Sequence, residues 1–271
     1  MGRKITYQPN VGNAPTSGGT ATIKASELVQ GPVVFDNIQF TGQATLGDIS
    51  RVRVFAGGVP FYNFDMVEYS TWIQRFSRNN TALDLTSKVL PILFYAPDEK
   101  DQLARDSYQS PLNRYIEIDF GTFSAAVEGM NVASGLTDVQ TLYYPLLLGS
   151  AMGIQANQAL RAYDPKMGGF IRGLGINTTG LDRLFWTCSS TQILNGLNGV
   201  GFLNAELAET PVYGQTGKST DFSVMKINPW YDLSSADNSL QLQTGGGWAG
   251  VSNELFIYAI NPVAKAGVGV A

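Results

Sequence analysis

The sequence predicts an all-β protein made of two tandem eight-stranded jelly rolls, which are β-sandwiches, each with a short inserted helix. Three observations lead to this prediction. Short apolar segments with strand-like alternation are separated by glycine and proline turn signals along the chain. Residues 51–78 read as a strand, a tight turn, a second strand and a helix. A similar order of segments recurs at an offset of roughly 130 to 140 residues, which indicates an internal duplication.

The strand-turn-strand-helix unit is the most clearly patterned part of the chain. Residues 51–55 alternate polar and apolar side chains, and two glycines then predict a turn into a second strand at residues 59–64. Asp65 and Glu68 have the three-residue spacing of an acidic capping box, which predicts the start of a helix. Apolar residues at helical spacing follow, namely Met66, Tyr69, Trp72, Ile73 and Phe76.

Further strands of the first half are predicted from alternation and flanking turn residues. They cover residues 20–28, 33–41, 88–96 and 113–121. Pro91 lies inside one of them, which favours an edge strand or a bulge. We expect residues 123–130 to extend the sheet of the last strand, residues 131–145 to cross between the halves, and residues 146–160 to form a glycine-interrupted helix.

The second half repeats this order of segments. Residues 169–180 match 33–42, residues 182–187 match 50–55, residues 197–209 supply the helix, residues 221–230 match 88–97, and residues 253–261 match 113–121. The shared order carries the argument, because each single match is weak. We therefore divide the chain into an N-terminal arm at 1–20, a first jelly roll at 21–130, and a second jelly roll with its connecting segment at 131–271.

Composition narrows the function classes. Charged residues make up 15% of the chain, against about 25% in typical soluble proteins. A surface so poor in charge favours contact with neighbouring copies of the same protein. The net charge of -4 argues against a dedicated nucleic-acid-binding surface. The chain has no histidine, which excludes Ser-His-Asp and Cys-His catalysis and histidine metal sites.

Cys188 is the single cysteine, so it forms no intrachain disulfide, and its apolar strand predicts a buried, inert thiol. No segment is long and apolar enough to span a membrane, and the N-terminus lacks the apolar core of a signal peptide. We predict a structural protein rather than an enzyme.

Residues 49–78 carry a family resemblance. The strand Ser50-Arg51-Val52-Arg53-Val54, the glycine turn and the amphipathic helix are similar to the corresponding stretch of the corticovirus coat protein. With the duplication, the chain resembles the double jelly-roll major capsid proteins of tailless icosahedral bacteriophages with an internal membrane, of the corticovirus and tectivirus type. Residue-level similarity covers this stretch alone, whereas the duplicated architecture covers most of the chain.

The resemblance implies a major capsid protein that forms homotrimers with a pseudo-hexameric outline and tiles an icosahedral shell. It implies localisation in the virion after synthesis in the host cytoplasm. The implied partners are neighbouring capsomers, vertex or penton proteins, minor capsid proteins and the internal membrane, without specific nucleic acid. The family supplies no catalytic motif. Some of its members bind calcium, but no motif of this sequence matches closely enough to carry their ligands over.

Two groups of residues are weak candidates for binding. Asp98, Glu99 and Asp101 form the densest carboxylate cluster, with Asp106 nearby, and such oxygens are ligands for calcium. A solvated loop is the simpler explanation of the cluster, and no twelve-residue EF-hand pattern is present. Arg3 and Lys4 in the arm are candidates for contact with anionic lipid or with a neighbouring subunit.

An alternative function is a carbohydrate-binding or glycan-cleaving protein on tandem β-sandwiches. Its candidate residues are the carboxylates Glu117 and Asp119, which project from one strand face, and the aromatic residues Trp230 and Trp248. A minor capsid or spike protein is a further alternative. Copy number per virion separates it from a major coat protein.

Overall fold

A computed structural model describes residues 4–14, 16–76, 82–95, 105–122, 127–138, 143–150, 154–163, 170–188, 190–202, 222–232, 238–248 and 255–262. The chain divides into two compact units. The first unit contains residues 1–66, 83–146 and 262–271, and the second contains residues 67–82 and 147–261. This division differs from the expected boundary after residue 130, which falls inside a strand of the first unit.

The first unit contains eight antiparallel strands in two sheets. They are β1 (Lys4–Gln8), β2 (Thr20–Ile23), β3 (Val33–Gly42), β4 (Ile49–Ala56), β5 (Val59–Phe64), β6 (Val89–Leu93), β7 (Tyr115–Phe120) and β8 (Val127–Leu136). One sheet has the order β1-β8-β3-β6, and the other has the order β5-β4-β7-β2. Apart from the β4–β5 hairpin, sequential strands thus alternate between the two sheets in the manner of a jelly roll.

The second unit repeats the same topology. Its strands are β9 (Tyr143–Ser150), β10 (Arg161–Tyr163), β11 (Phe170–Asn177), β12 (Leu181–Cys188), β13 (Thr191–Leu197), β14 (Phe222–Asp232), β15 (Ser239–Thr244) and β16 (Leu255–Pro262). The sheet orders are β14-β11-β16-β9 and β10-β15-β12-β13. Adding eight to each first-unit strand number reproduces both orders, so the duplication holds at the level of topology. The division between units falls within β9, after Leu146.

The hairpin and its turn agree with the sequence prediction. β4 pairs antiparallel with β5, and the two residues between them are Gly57 and Gly58, with φ angles of 58° and 82°. Both angles lie in the left-handed region, where a residue without Cβ is favoured. Two consecutive positive φ angles are typical of the tight turns that match the right-handed twist of paired strands.

The helix α1 (Met66–Phe76) follows this hairpin as predicted, but it is more deeply buried than its polar residues suggested. Glu68 is 1% exposed and Arg75 is 4% exposed, whereas Val67 is 50% exposed. From residue 67 onward α1 belongs to the second unit. The helix thus comes after β5 in the chain but contributes to the core of the other jelly roll.

An aromatic cluster holds α1 in place. The ring centroids of Trp72 and Tyr258 are 5.2 Å apart, and those of Phe76 and Tyr258 are 5.4 Å apart, both in edge-on geometry. A Cβ atom on Gly173 would lie 3.2 Å from the Phe76 ring, so β11 lets the helix approach closely. In register, Gly173 lies opposite Tyr258 and Lys226, and the Lys226 ammonium lies 4.9 Å from the Phe76 ring centroid.

A second helix begins at the equivalent position after β13. Residues 199–202 are helical, and the backbone N–H of Gly201 donates to Asn198 Oδ1 at 2.7 Å, which caps the helix start. The helix predicted at 197–209 therefore exists but begins two residues later, because Leu197 is the last residue of β13. Its remaining residues lie outside the described part of the chain.

The first-unit core lies between its two sheets. Ile116, Ile118 and Phe120 of β7 are buried and alternate with outward Tyr115, Glu117 and Asp119, as predicted. Phe120 meets Phe40 of β3 edge-on, with ring centroids 5.7 Å apart, so the contact joins the two layers. Pro91 lies in β6, at the edge of its sheet, which confirms the expectation for a proline inside a strand.

Several segment predictions were wrong. Residues 146–160 were predicted to form a helix, but residues 146–150 belong to strand β9 and residues 154–160 are not helical. The apolar run was misread because a buried strand can be continuously apolar and need not alternate. β8 does not extend the sheet of β7. It pairs with β1 and β3 in the opposite layer, and it includes residues 131–136, which were expected to cross between halves.

Two further assignments changed with the topology. Strand β16, which contains most of residues 253–261, corresponds to β8 in strand order, so its match with β7 was wrong. The match was made on alternation of polar and apolar residues, which does not distinguish one strand of the sandwich from another. Residues 4–8 of the expected N-terminal arm form β1 and pair with β8. Among the described residues, no helix has the length and apolarity needed to cross a membrane.

Candidate functional site

The outward side of sheet β5-β4-β7-β2 carries a ladder of charges, which we call the charged face. The Arg53 guanidinium on β4 contacts both oxygens of Asp119 on β7 at 2.7 and 2.8 Å. Its Nη2 also lies 3.4 Å from Glu117 Oε2. Thr20 Oγ1 on β2 donates to Asp119 Oδ1 at 2.7 Å. The side chains of Arg53 and both carboxylates are about one-quarter to one-third exposed.

The ladder ends in an aromatic pair. The rings of Phe55 and Tyr115 are stacked, with centroids 4.6 Å apart and planes 8° from parallel. The sequence predicted that Glu117 and Asp119 project from one face, and the structure confirms this. The two carboxylates share one arginine, so the geometry is that of cross-strand ion pairing rather than of an acid and a nucleophile flanking a substrate.

Replacing Arg53 by alanine is expected to lower the free energy of unfolding by less than about 1 kcal/mol, because partly solvated ion pairs contribute little. Urea denaturation followed by far-UV circular dichroism measures the change. A loss several times larger would show that the ladder is a main source of stability for the first unit.

The outward side of sheet β1-β8-β3-β6 has the opposite character, and we call it the uncharged face. Three rows of register-paired side chains cross its four strands. The rows are Ile5-Gly135-Phe35-Leu93, Tyr7-Ala133-Asn37-Pro91 and, across β8, β3 and β6, Asn131-Gln39-Val89. No residue of these described rows is charged. Its most exposed members are Ile5 at 65% and Tyr7 at 58%.

A buried ion pair lies on the inner side of the same sheet. Arg114 donates to Asp36 through Nε at 2.7 Å and through Nη2 at 2.8 Å, and both side chains are 0% exposed. Ser134 Oγ also donates to Asp36 Oδ1 at 2.6 Å, and Arg114 Nη1 donates to the Val29 carbonyl oxygen at 2.9 Å. The pair joins β3, β8 and the segments before β3 and β7, so it ties several strands of the first jelly roll together.

Sequence reasoning missed this pair, although one signal for it exists. Asp36 has the same phase along β3 as the buried residues Val34, Ile38 and Phe40. An acidic residue at an inward position needs a partner, because an unpaired buried charge is costly. Its partner Arg114 is 78 residues away, and nothing local identifies it.

Comparison with known proteins gives a match in structure alone. No protein-family model matches the sequence, and no curated protein matches it either. The major capsid protein P2 from bacteriophage PM2 superposes with a TM-score of 0.67 and 11% identity, over 98% of this chain and 100% of that one. The chain has the double jelly-roll fold.

Other double jelly rolls match over nearly their whole length. A chain in the atomic structure of Sulfolobus turreted icosahedral virus matches with a TM-score of 0.59 and 12% identity, over 95% of this chain and 90% of that one. A chain of the PBCV-1 virus capsid matches with a TM-score of 0.55 and 10% identity, over 96% and 94%. The resemblance stated from residues 49–78 and the duplication is thus confirmed at the level of the fold.

The candidate calcium ligands of this double jelly roll, Asp98, Glu99 and Asp101, lie outside the described residues. The nearby Asp106 is described and buried. Its Oδ2 accepts a hydrogen bond from Thr137 Oγ1 at 3.1 Å, and its carbonyl oxygen accepts one from Gln109 Nε2. Within the described ranges, no three acidic or cysteine side chains form a group able to hold a metal ion.

Of the two candidates for contact with lipid or with a neighbouring subunit, only Lys4 lies in the described part of the chain. Arg3 lies outside the described residues. Lys4 is exposed at the start of β1, opposite Leu136, and with Asp138 it lines an open groove of about 440 Å³. The groove places one cation and one carboxylate at the end of the uncharged face.

Of the two aromatic candidates for sugar stacking, Trp248 is not supported by the structure. Trp248 was expected in an exposed loop, but it is 5% exposed, and its backbone packs against Gly180. Trp230 is in β14, and its side chain lies outside the described residues. Cys188 is buried at 0% exposure, which confirms the prediction of a buried thiol.

Proposed function

We propose that this protein is a major capsid protein, the structural subunit of an icosahedral virion shell. The observation that carries the proposal is the pair of eight-stranded jelly rolls with identical strand order in one chain. The whole of the PM2 major capsid protein aligns with this chain, and other double jelly rolls of viral capsids align over nine-tenths of their length or more. A fold alone does not imply a function, so the proposal requires a test of assembly.

The duplicated topology supports a trimeric subunit. Three copies of a chain with two similar jelly rolls carry six similar modules, so a threefold ring has a pseudo-hexameric outline. Closed rotational symmetry lets identical contacts repeat without an open end. A hexagonal unit of this kind tiles a surface, which allows one polypeptide to build a large shell.

The composition supports extensive contact between subunits. Charged residues are depleted in the centres of protein interfaces. In this chain charged residues make up only 15% of the sequence. We propose neighbouring capsomers, vertex proteins and minor capsid proteins as partners, and an internal membrane beneath the shell. The virion is the proposed location.

The mass of the purified protein in solution tests the trimer. Light scattering is expected to give about three times the chain mass of 29.2 kDa, as closed threefold symmetry requires. Electron microscopy of the same fraction is expected to show a hexagonal outline. A stable monomer across a wide range of concentrations would contradict the proposal.

Neither alternative function gains a specific observation. For the carbohydrate-binding alternative, Trp248 is buried and Glu117 and Asp119 are paired with Arg53. For a minor capsid or spike protein, counting copies per virion is the discriminating measurement, since a shell needs hundreds of copies and a spike few.

A further inference from the structure

We propose that Asn195 is a site of spontaneous deamidation, at which the side-chain amide is converted to a carboxylate. The attacking group is the backbone nitrogen of Gly196, and the co-reactant is water. The proposal is independent of the proposed function, because it concerns the chemistry of one exposed segment of β13 in the folded chain.

The sequence supplies the reactive pair twice. Residues 194–197 read Leu-Asn-Gly-Leu, and residues 197–200 read Leu-Asn-Gly-Val. A glycine after asparagine has no Cβ atom to hinder attack by its own nitrogen. Because the two pairs have nearly the same neighbours in sequence, their intrinsic reactivity is nearly the same. A difference between their rates in the folded protein therefore has a structural cause.

The reaction uses groups of the chain and water alone. The nitrogen of Gly196 loses its proton and bonds to Cγ of Asn195, the bond from Cγ to the side-chain nitrogen breaks, and ammonia leaves. The product is a cyclic succinimide. Water opens this ring at Cγ to give aspartate, or at the main-chain carbonyl carbon to give isoaspartate. Nothing is oxidised or reduced, and either product places a carboxylate where the amide stood.

Asn195 lies where β13 is weakly constrained. The strand is the last in the order β10-β15-β12-β13, and Asn195 is exposed. The register with β12 shifts at this point, so that Asn195 and Gly196 together lie opposite Phe185. Such a bulge interrupts the ladder of hydrogen bonds. Gly196 has a φ angle of 66°, which glycine adopts readily. The backbone here can therefore reach the conformation that closes the ring more easily than a regular strand can.

Asn198 is also exposed, but its side chain and the glycine after it are fixed in place. Its Oδ1 accepts the N–H of Gly201 at 2.7 Å, and its carbonyl oxygen accepts the N–H of Phe202 at 2.8 Å. Gly199 is buried, and a Cβ atom on it would overlap the carbonyl group of Thr178. Ring closure at Asn198 therefore requires loss of the helix cap and movement of a tightly packed backbone.

The expected consequence is a change in surface charge without a change in fold. Each conversion makes the net charge of -4 more negative by one unit. Because Asn195 is exposed on an edge strand, the new carboxylate stays in water and needs no partner. The isoaspartate product lengthens the main chain at a point where the register already shifts. Stored protein is therefore expected to separate into charge variants with the same strand content.

Mass spectrometry with fragment-ion assignment tests the proposal on the folded protein, incubated at mildly alkaline pH, where the backbone nitrogen loses its proton more readily. We expect conversion at Asn195 to be about tenfold faster than at Asn198, a ratio that corresponds to about 1.4 kcal/mol in activation free energy. The control is the same protein in guanidinium chloride, where the two rates should be nearly equal. Equal rates in the folded protein, or no conversion at Asn195, would overturn the proposal.

Ion-exchange chromatography of two variants gives a second readout. The wild-type protein is expected to accumulate a more acidic peak with time. Asn195→Gln should not form this peak, because the longer side chain closes a larger ring more slowly. Asn198→Asp removes the second amide but keeps an oxygen that caps the helix, and it should gain an acidic peak at the wild-type rate. Persistence of the peak in Asn195→Gln, or its loss in Asn198→Asp, would contradict the assignment to Asn195.

Discussion

Replacing Arg114 by methionine is expected to lower the free energy of unfolding of the first unit by about 3 to 5 kcal/mol, because the change leaves the Asp36 carboxylate buried without its ion partner. Both side chains are fully buried and joined by two hydrogen bonds. The Ser134 hydroxyl and solvent-excluded surroundings do not compensate a full charge. This is the largest effect that we expect from a single polar substitution in the described structure.

The distribution of tryptophans allows the measurement to be assigned to one unit. All four tryptophans, Trp72, Trp186, Trp230 and Trp248, lie in the second unit. Far-UV circular dichroism reports on the strands of both units, whereas tryptophan fluorescence reports on the second. The Arg114→Met variant should therefore show its altered urea transition in circular dichroism.

Two control variants sharpen this test. Arg53→Met removes a partly exposed arginine of the same unit and should cost less than about 1 kcal/mol. The double variant Asp36→Leu with Arg114→Met removes both charges and should recover much of the lost stability, since apolar replacement of a buried pair is often neutral. Equal effects of Arg114→Met and Arg53→Met would contradict a special role for the buried pair.

Replacing Phe76 by alanine is expected to lower the free energy of unfolding of the second unit by about 3 to 5 kcal/mol, the cost of truncating a buried aromatic residue. Phe76 is 1% exposed and packs against Tyr258, Gly173 and the Lys226 ammonium. Its loss leaves a cavity between α1 and β11. Tryptophan fluorescence during urea denaturation measures the change, because Trp72 lies on the same helix with its ring 6.0 Å from that of Phe76.

The matched control for Phe76→Ala is Val67→Ala on the same helix. Val67 is 50% exposed, so its truncation should change stability by less than about 0.5 kcal/mol. If the two variants have the same urea midpoint in tryptophan fluorescence, the aromatic cluster does not anchor α1.

Much of the local structure could be predicted from the sequence. The turn at Gly57 and Gly58, the alternation of β7 and the start of α1 follow from interactions within a few residues. The order of strands also suggested the duplication, because both halves repeat similar apolar segments. The predictions failed where a pattern has two readings, as in β9, whose continuous apolar run also fits a buried helix.

The candidate surfaces were less predictable. The outward position of Glu117 and Asp119 followed from alternation, but their shared contact with Arg53 depends on the register between β4 and β7. Recognising the uncharged face requires knowing which of four strands are neighbours. The sequence prediction placed one of them, β8, in the wrong sheet. Its rows become visible once β8 is paired with β1 and β3.

The sequence by itself determined most of the strands and turns, the start of α1 and the duplication of the set, because propensity, alternation and turn chemistry act over a few residues. Tertiary structure alone decided which strands are neighbours, which jelly roll receives α1 and which charge meets Asp36. These choices depend on burial and pairing between residues far apart in the chain, such as Phe76 with Tyr258 and Asp36 with Arg114. The free energy of each such contact is gained only when the folded chain brings the two residues together.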